Sequence, residues 1–296
     1  MSPNSRVIFL WLRSALAGVT DDIERYAAEQ SDFAFEMEIL QLFKGNYAGK
    51  TGWGGLYYDP NTGKQREYDI RTELSIDIHR PIYWINLAIE CKHLKQTYPL
   101  VISCTPRNES EQCIDSWRWP IAEDGYFVES KGYTRESAPK DPHYKQYCCR
   151  PTLFYPLNDS VGRSLTQVGK DENGNLTVAN GEIFNKWSQA LASLHGMLDD
   201  VLTRNSPEDR HNLAFLPVVV VPDKTLWQIN YSPDGQQIEE PRQVDSISYW
   251  IGISYSMKKG TRQESYNISH LHFFTRTGLL EFLRNKDHLA KAFEQY

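Results

Sequence analysis

Two stretches decide how the chain is read: Gln65-Arg66-Glu67-Tyr68-Asp69-Ile70-Arg71-Thr72-Glu73-Leu74 and Ile82-Tyr83-Trp84-Ile85-Asn86-Leu87-Ala88-Ile89-Glu90-Cys91-Lys92. The first reads as a strand returning from a partner at Gly54 to Tyr58 through Asp59-Pro60-Asn61-Thr62-Gly63-Lys64, a run of turn-forming residues. The second is an almost unbroken apolar run, the pattern of a strand buried on both faces. Side chains alternate faces along a strand. Glu67, Asp69, Arg71 and Glu73 therefore share one face of the return strand, and Ala88, Glu90 and Lys92 share one face of the next. If the two strands are neighbours, Asp69, Glu90 and Lys92 converge at one edge of the sheet.

Working outward, Asp21 to Lys44 reads as a helix with Thr20 as its N-cap, Phe35, Ile39, Leu42 and Phe43 as its apolar stripe, and Gly45-Asn46 as its stop. Leu100 to Cys104 is a further short strand. Thr105 to Asn180 mixes Pro, Gly, charge and aromatics without period and reads as an insertion. Glu182 to Leu202 is an amphipathic helix carrying Phe184, Trp187, Leu191, Leu194 and Leu198. Leu213 to Pro222 is a β-branched strand, with Thr225 to Tyr231 expected to pair with it before a turn at Pro233-Asp234-Gly235. Ser246 to Tyr255 is another strand, and Thr277 to Gln295 a closing helix. This order predicts an α/β fold in a single domain spanning 1–296, its core at about 21–104 and 182–255 and its insertion at about 105–180.

The bulk numbers bound the function classes. The 296 residues are 40% hydrophobic and 24% charged, which supports a packed core and argues against wholesale disorder. Net charge is -6, so binding of nucleic acid would need basic groups gathered on one face rather than a basic protein overall. The apolar run Val7 to Leu12 ends at Arg13, far short of the roughly 20 residues a membrane span requires. Five cysteines without scaffold spacing fit reduced thiols and a cytoplasmic setting.

Two carboxylates and an ammonium suit phosphodiester hydrolysis. Magnesium prefers hard oxygen ligands, often one or two carboxylates completed by water and phosphate oxygens. Asp69 and Glu90 would supply the carboxylates, and Lys92 would orient the attacking water or stabilise charge on the phosphate. Glu-x-Lys alone carries no weight, since Glu129-Ser130-Lys131 repeats it. Only the first copy ends a long apolar strand preceded at hairpin distance by an Asp. The reading without chemistry is a salt bridge at a strand end.

Gly54-Gly-Leu-Tyr-Tyr-Asp-Pro60, Arg66-Glu-Tyr-Asp-Ile70 and Leu87-Ala-Ile-Glu-Cys-Lys92 together resemble the PD-(D/E)xK superfamily of restriction-endonuclease-like nucleases. The resemblance implies a core of helix, three-strand meander, helix and strand, covering about 32–104 and more loosely 182–222. It implies an endonuclease that cleaves DNA with magnesium or manganese, bound by Asp69 and Glu90, in restriction or defence against foreign DNA. A homodimer or a defence-system partner protein would fit that role. Phe35-Glu-Met-Glu-Ile-Leu-Gln-Leu-Phe-Lys-Gly45 resembles the helix that adds a further carboxylate in archaeal Holliday-junction resolvases. Its spacing to Gly45 favours Glu38 as catalytic and metal-binding, with Glu36 second. Tyr68 stands where the family often has Pro. Gln189 would either mimic a helix glutamine that some relatives direct at the site or be a surface amide. The alternative is a fold relative without catalysis that binds nucleic acid or protein.

Other signals are weaker. Gly45 to Thr51 ends like a phosphate-binding loop, but is one residue short and follows a helix instead of a strand. His143, Cys148, Cys149, Cys104 and Cys113 match no zinc spacing. His270 and His272 share a strand face. Arg107, Trp117, Arg118, Trp119, Tyr133, Lys140, Lys145 and Arg150 would either clamp a nucleic-acid strand or form a satellite core.

Overall fold

A computed structural model describes residues 18–27, 31–44, 49–59, 62–76, 83–118, 145–149, 155–179, 181–202, 212–259 and 262–285. The helix stop at Gly45-Asn46, the second Glu-x-Lys at 129–131, His143 and the residues beyond 285 lie outside these, as do Trp119, Tyr133, Lys140 and Arg150.

The first expected helix is two: α1 at 18–27 and α2 at Phe33–Leu42. Thr20 lies within α1, so it is not the cap; Asp32 takes the N-cap position of α2. The meander follows as β1 (Thr51–Asp59), β2 (Lys64–Ile76) and β3 (Tyr83–Cys91). β1 runs antiparallel to β2, and β2 antiparallel to β3. Next come β4 (Leu100–Pro106), β5 (Ile114–Arg118), β6 (Lys145–Cys149), β7 (Ser160–Lys170) and β8 (Leu176–Ala179). Then α3 spans Gly181–Leu202, followed by β9 (Asn212–Val221), β10 (Leu226–Asn230), β11 (Arg242–Gln243), β12 (Ser246–Lys259), β13 (Arg262–Thr275) and α4 (Arg276–Arg284).

The architecture is α/β. Thirteen strands join one mixed sheet, in the order β1-β2-β3-β9-β13-β12-β7-β4-β10-β11, with β5, β6 and β8 branching from it. α2 and α4 cover one face, where Phe35, Ile39, Leu279 and Leu283 pack on Ile70, Ile89, Cys91, Val218 and Val220. α3 covers the other, its Leu191, Leu194 and Leu198 packing with Ala88, Leu213 and Phe215. Burying each such large apolar side chain contributes roughly 1.5–3 kcal/mol. Among the described residues no helix is long and apolar enough to cross a membrane.

Three features differ from the sequence reading. β10 pairs in parallel with β4 instead of pairing with β9. β13, read from the sequence only as a strand face shared by His270 and His272, lies between β9 and β12. The stretch read as an insertion is woven into the sheet, because β7 separates β12 from β4 and β5 pairs with β9. Arg107 and Trp117 are buried there, so neither is offered to a nucleic-acid strand.

β9 tolerates Pro217 at its centre for a legible reason. Lys92 N donates to Val220 O, so even-numbered residues of β9 turn their peptide groups towards β3 and odd-numbered ones the other way. On that other edge β5 pairs only as far as Ala214, and β13 begins at Val218. The N–H that Pro217 lacks would point into the gap between them.

Candidate active site

The site forms where the β2–β3 ladder ends. The last paired residues are Ile70 and Ile89, and the same register carried one step further sets Asp69 opposite Glu90. Asp69 instead turns its carboxylate into the ladder, where Oδ2 accepts a hydrogen bond from Cys91 N at 2.7 Å. Lys186, in the first turns of α3, donates to the same oxygen at 2.9 Å and lies 3.6 Å from Glu90 Oε2. The two carboxylate oxygens are thus no farther apart than the sum of those distances. The expected convergence of Asp69 and Glu90 is present, but the ammonium upon them is that of Lys186.

Lys92 is placed one carboxylate away. Its Nζ lies 3.3 Å from Asp32 Oδ2, while His93 N donates to Asp32 Oδ1 at 2.7 Å. Asp32 has helical dihedrals and makes no side-chain cap to its own helix. Its carboxylate instead ties the start of α2 to the segment leaving β3.

The two candidate glutamates of α2 separate because residues two apart on a helix project roughly 200° from each other. Glu38 is paired with Arg276 Nε of α4 at 2.5 Å, and the structure does not bring it to Asp69 and Glu90. Glu36 lies within electrostatic reach of Asp69: burial and then the charge of Asp69 raise its carboxyl to about 7. Gln189 meets the meander through its backbone, its carbonyl accepting from Tyr57 Oη at 3.4 Å.

Electrostatics set Glu90 apart. Its side chain is 1% exposed, and neither oxygen has a hydrogen-bond partner among the described residues. Burial, then the neighbouring charge of Asp69, raises its carboxyl well above the ordinary carboxylate range. A buried carboxylate without hydrogen bonds is costly in its charged form. Burial also works against the charge on Lys186, but Asp69 and Glu90 outweigh it and hold the ammonium protonated. Arg71 closes the α3 side, donating to Ser193 Oγ at 3.0 Å and to Ser193 O at 2.8 Å while stacked on Tyr57 and Tyr68. Gly196 permits this approach, since a Cβ there would stand 3.0 Å from Arg71 Nη2.

The cluster therefore holds Asp32, Glu36, Asp69 and Glu90 against Lys92 and Lys186. Sequence reasoning named neither Lys186 nor Asp32, and placed Glu36 second to Glu38. The signal for Lys186 was available: Ile183, Ala190, Leu194, Met197 and Val201 form the buried stripe of α3, and Lys186 falls on it. Among the described residues no group of three His, Cys, Asp or Glu could hold a metal ion. Magnesium needs fewer protein ligands than that. The donor set at Asp69 and Glu90 fits such an ion, because both oxygens of Glu90 lack a hydrogen-bond partner and hard carboxylate oxygens are what it requires. The chain matches no protein-family model, no curated protein and no solved structure.

Proposed function

We propose that the chain is a metal-dependent phosphodiesterase with a PD-(D/E)xK-type core that cleaves DNA. The observation that carries this reading is the buried carboxylate of Glu90, without a hydrogen-bond partner and beside Asp69, at the end of a meander preceded by a helix and followed, after five further strands, by a helix and a strand. That element order supports the restriction-endonuclease-like core.

Asp69 and Glu90 would hold magnesium or manganese. A bound divalent ion would acidify a coordinated water and offset charge on the phosphate. The remaining steps fall to the chain. The Cys91 N–H fixes the Asp69 carboxylate, so its geometry is set before any ligand arrives. Lys92, steadied on Asp32, and Lys186 supply two ammonium groups for phosphate oxygens. Glu36, raised to about 7, would accept a proton from the attacking water near neutral pH. A role in restriction or defence follows from the resemblance alone.

One observation favours the second reading, a fold relative that binds nucleic acid or protein without catalysis. Lys186 already gives Asp69 and Glu90 an internal ionic partner, and Asp32 gives Lys92 one. The deciding experiment is cleavage of plasmid DNA at fixed ionic strength with magnesium or manganese, with and without EDTA, for wild type and Glu90→Ala. Metal-dependent nicking lost in Glu90→Ala supports the nuclease. No cleavage under any condition supports the binding module.

A further inference from the structure

Lys186 has no counterpart among the residues the sequence singled out, yet it is the group in direct contact with both central carboxylates. Its contact with Asp69 is a hydrogen bond, whereas its contact with Glu90 is one of charge alone, both Glu90 oxygens being left without a hydrogen-bond partner. The side chain is 16% exposed and rises from the buried stripe of α3, so the backbone below it is fixed by Ile183 and Ala190, both fully buried.

We propose that Lys186 holds the place of the divalent cation on Asp69 and Glu90 in the metal-free protein, and moves to the substrate phosphate when those carboxylates bind the ion. This rests on the nuclease reading above. The argument is one of charge and reach. Two carboxylates in a low-dielectric pocket attract one cation strongly, and a divalent ion seated on them would cancel the charge that holds the ammonium there. Lysine carries its charge on a flexible four-carbon stem and can be displaced without moving the helix. The charge of Asp32 also favours the Lys186 ammonium.

The proposal requires two effects of opposite sign. Removing the ammonium should tighten metal binding, because a competitor is gone, and should weaken cleavage, because a phosphate contact is gone. A residue that merely holds the fold together would not produce both. The test is calorimetric titration of the metal-free full-length chain with manganese chloride, beside plasmid cleavage. Lys186→Gln is expected to bind manganese on the order of 10-fold tighter than wild type and to cleave on the order of 100-fold more slowly. Lys186→Arg, which grips carboxylates in a fork, is expected to bind manganese more weakly than wild type; it tests the idea even if the glutamine variant does not fold. Unchanged or weaker manganese binding by a folded Lys186→Gln overturns the proposal, as does binding by Lys186→Arg as tight as wild type. Manganese binding by none of these proteins, or binding that persists in Glu90→Gln, overturns the nuclease reading itself.

Discussion

The Asp69 carboxylate takes a hydrogen bond from the Cys91 backbone N–H at 2.7 Å, so one side chain both closes the β2–β3 ladder and faces Glu90. Structure and chemistry at this residue can be separated by substitution. Asp69→Asn retains an oxygen that can accept from Cys91 N and relieves the repulsion on Glu90. Asp69→Ala leaves a buried N–H without a partner, at a cost of about 1–3 kcal/mol. Both variants should lose cleavage, while chemical denaturation should rank the alanine variant less stable than the asparagine one by about that amount. Equal stabilities would mean that the hydrogen bond contributes nothing.

Lys92 and Lys186 should differ in what they do to metal binding. Because Lys92 pairs with Asp32, Lys92→Met should slow cleavage while leaving manganese affinity within about twofold of wild type. Asp32→Ala should slow cleavage similarly by releasing Lys92. It should also lower stability by about 1–3 kcal/mol, because His93 N loses its acceptor. A large change in manganese affinity in Lys92→Met, read by titration, would show that Lys92 reaches the carboxylate pair after all.

The two glutamates of α2 give the sharpest contrast between sequence and structure. Glu38→Gln removes a partly exposed ion pair with Arg276 and should cost no more than about 1 kcal/mol, with cleavage near wild type. On the nuclease reading, Glu36→Gln should slow cleavage markedly and shift the acid limb of its pH profile, which the wild-type protein should show near pH 7. The pH–rate profiles of the two variants decide the matter; the reverse result would restore Glu38 to the site.

That contrast also explains what could be read from the letters. Asp69 and Glu90 were legible because strand alternation and hairpin connectivity are short-range rules, and both residues belong to one meander. Choosing between Glu36 and Glu38 required knowing which way α2 faces, and Arg276, some 240 residues later, is what holds Glu38. Lys186 was hidden for a related reason: a lysine on a helix reads as solvated until the sheet beneath it is known to carry two carboxylates. The same limit governs the topology. β3 and β9 were legible as buried runs, but β10 pairing with β4, and β13 inserting between β9 and β12, are long-range choices that local pattern does not encode.

His272 of β13, in register with Val218 of β9, gives a prediction apart from the candidate site. It is buried, its Nε2 2.9 Å from Tyr155 Oη, with its ring stacked near those of Tyr155 and Phe274. Burial, then the charge of Arg107, lowers its pKa from 6.5 to about 3, so the fold accommodates the neutral imidazole. In the unfolded chain the same ring takes up a proton below pH 6.5. Between those two values the unfolded state binds more protons, and stability falls as pH falls. The contribution is complete above pH 6.5 and declines by roughly 1.4 kcal/mol for each unit below it, until the folded value is reached. His270, held neutral on the same strand by burial and by Arg107, adds a loss of the same sign. Urea denaturation from pH 7 to pH 4 should therefore show a steep acid loss for wild type and a shallower one for His272→Gln. The glutamine variant should be the less stable at pH 7, where the packed imidazole contributes most, and its deficit should narrow towards pH 4. Parallel pH profiles for the two proteins would mean that this ring titrates freely in the fold.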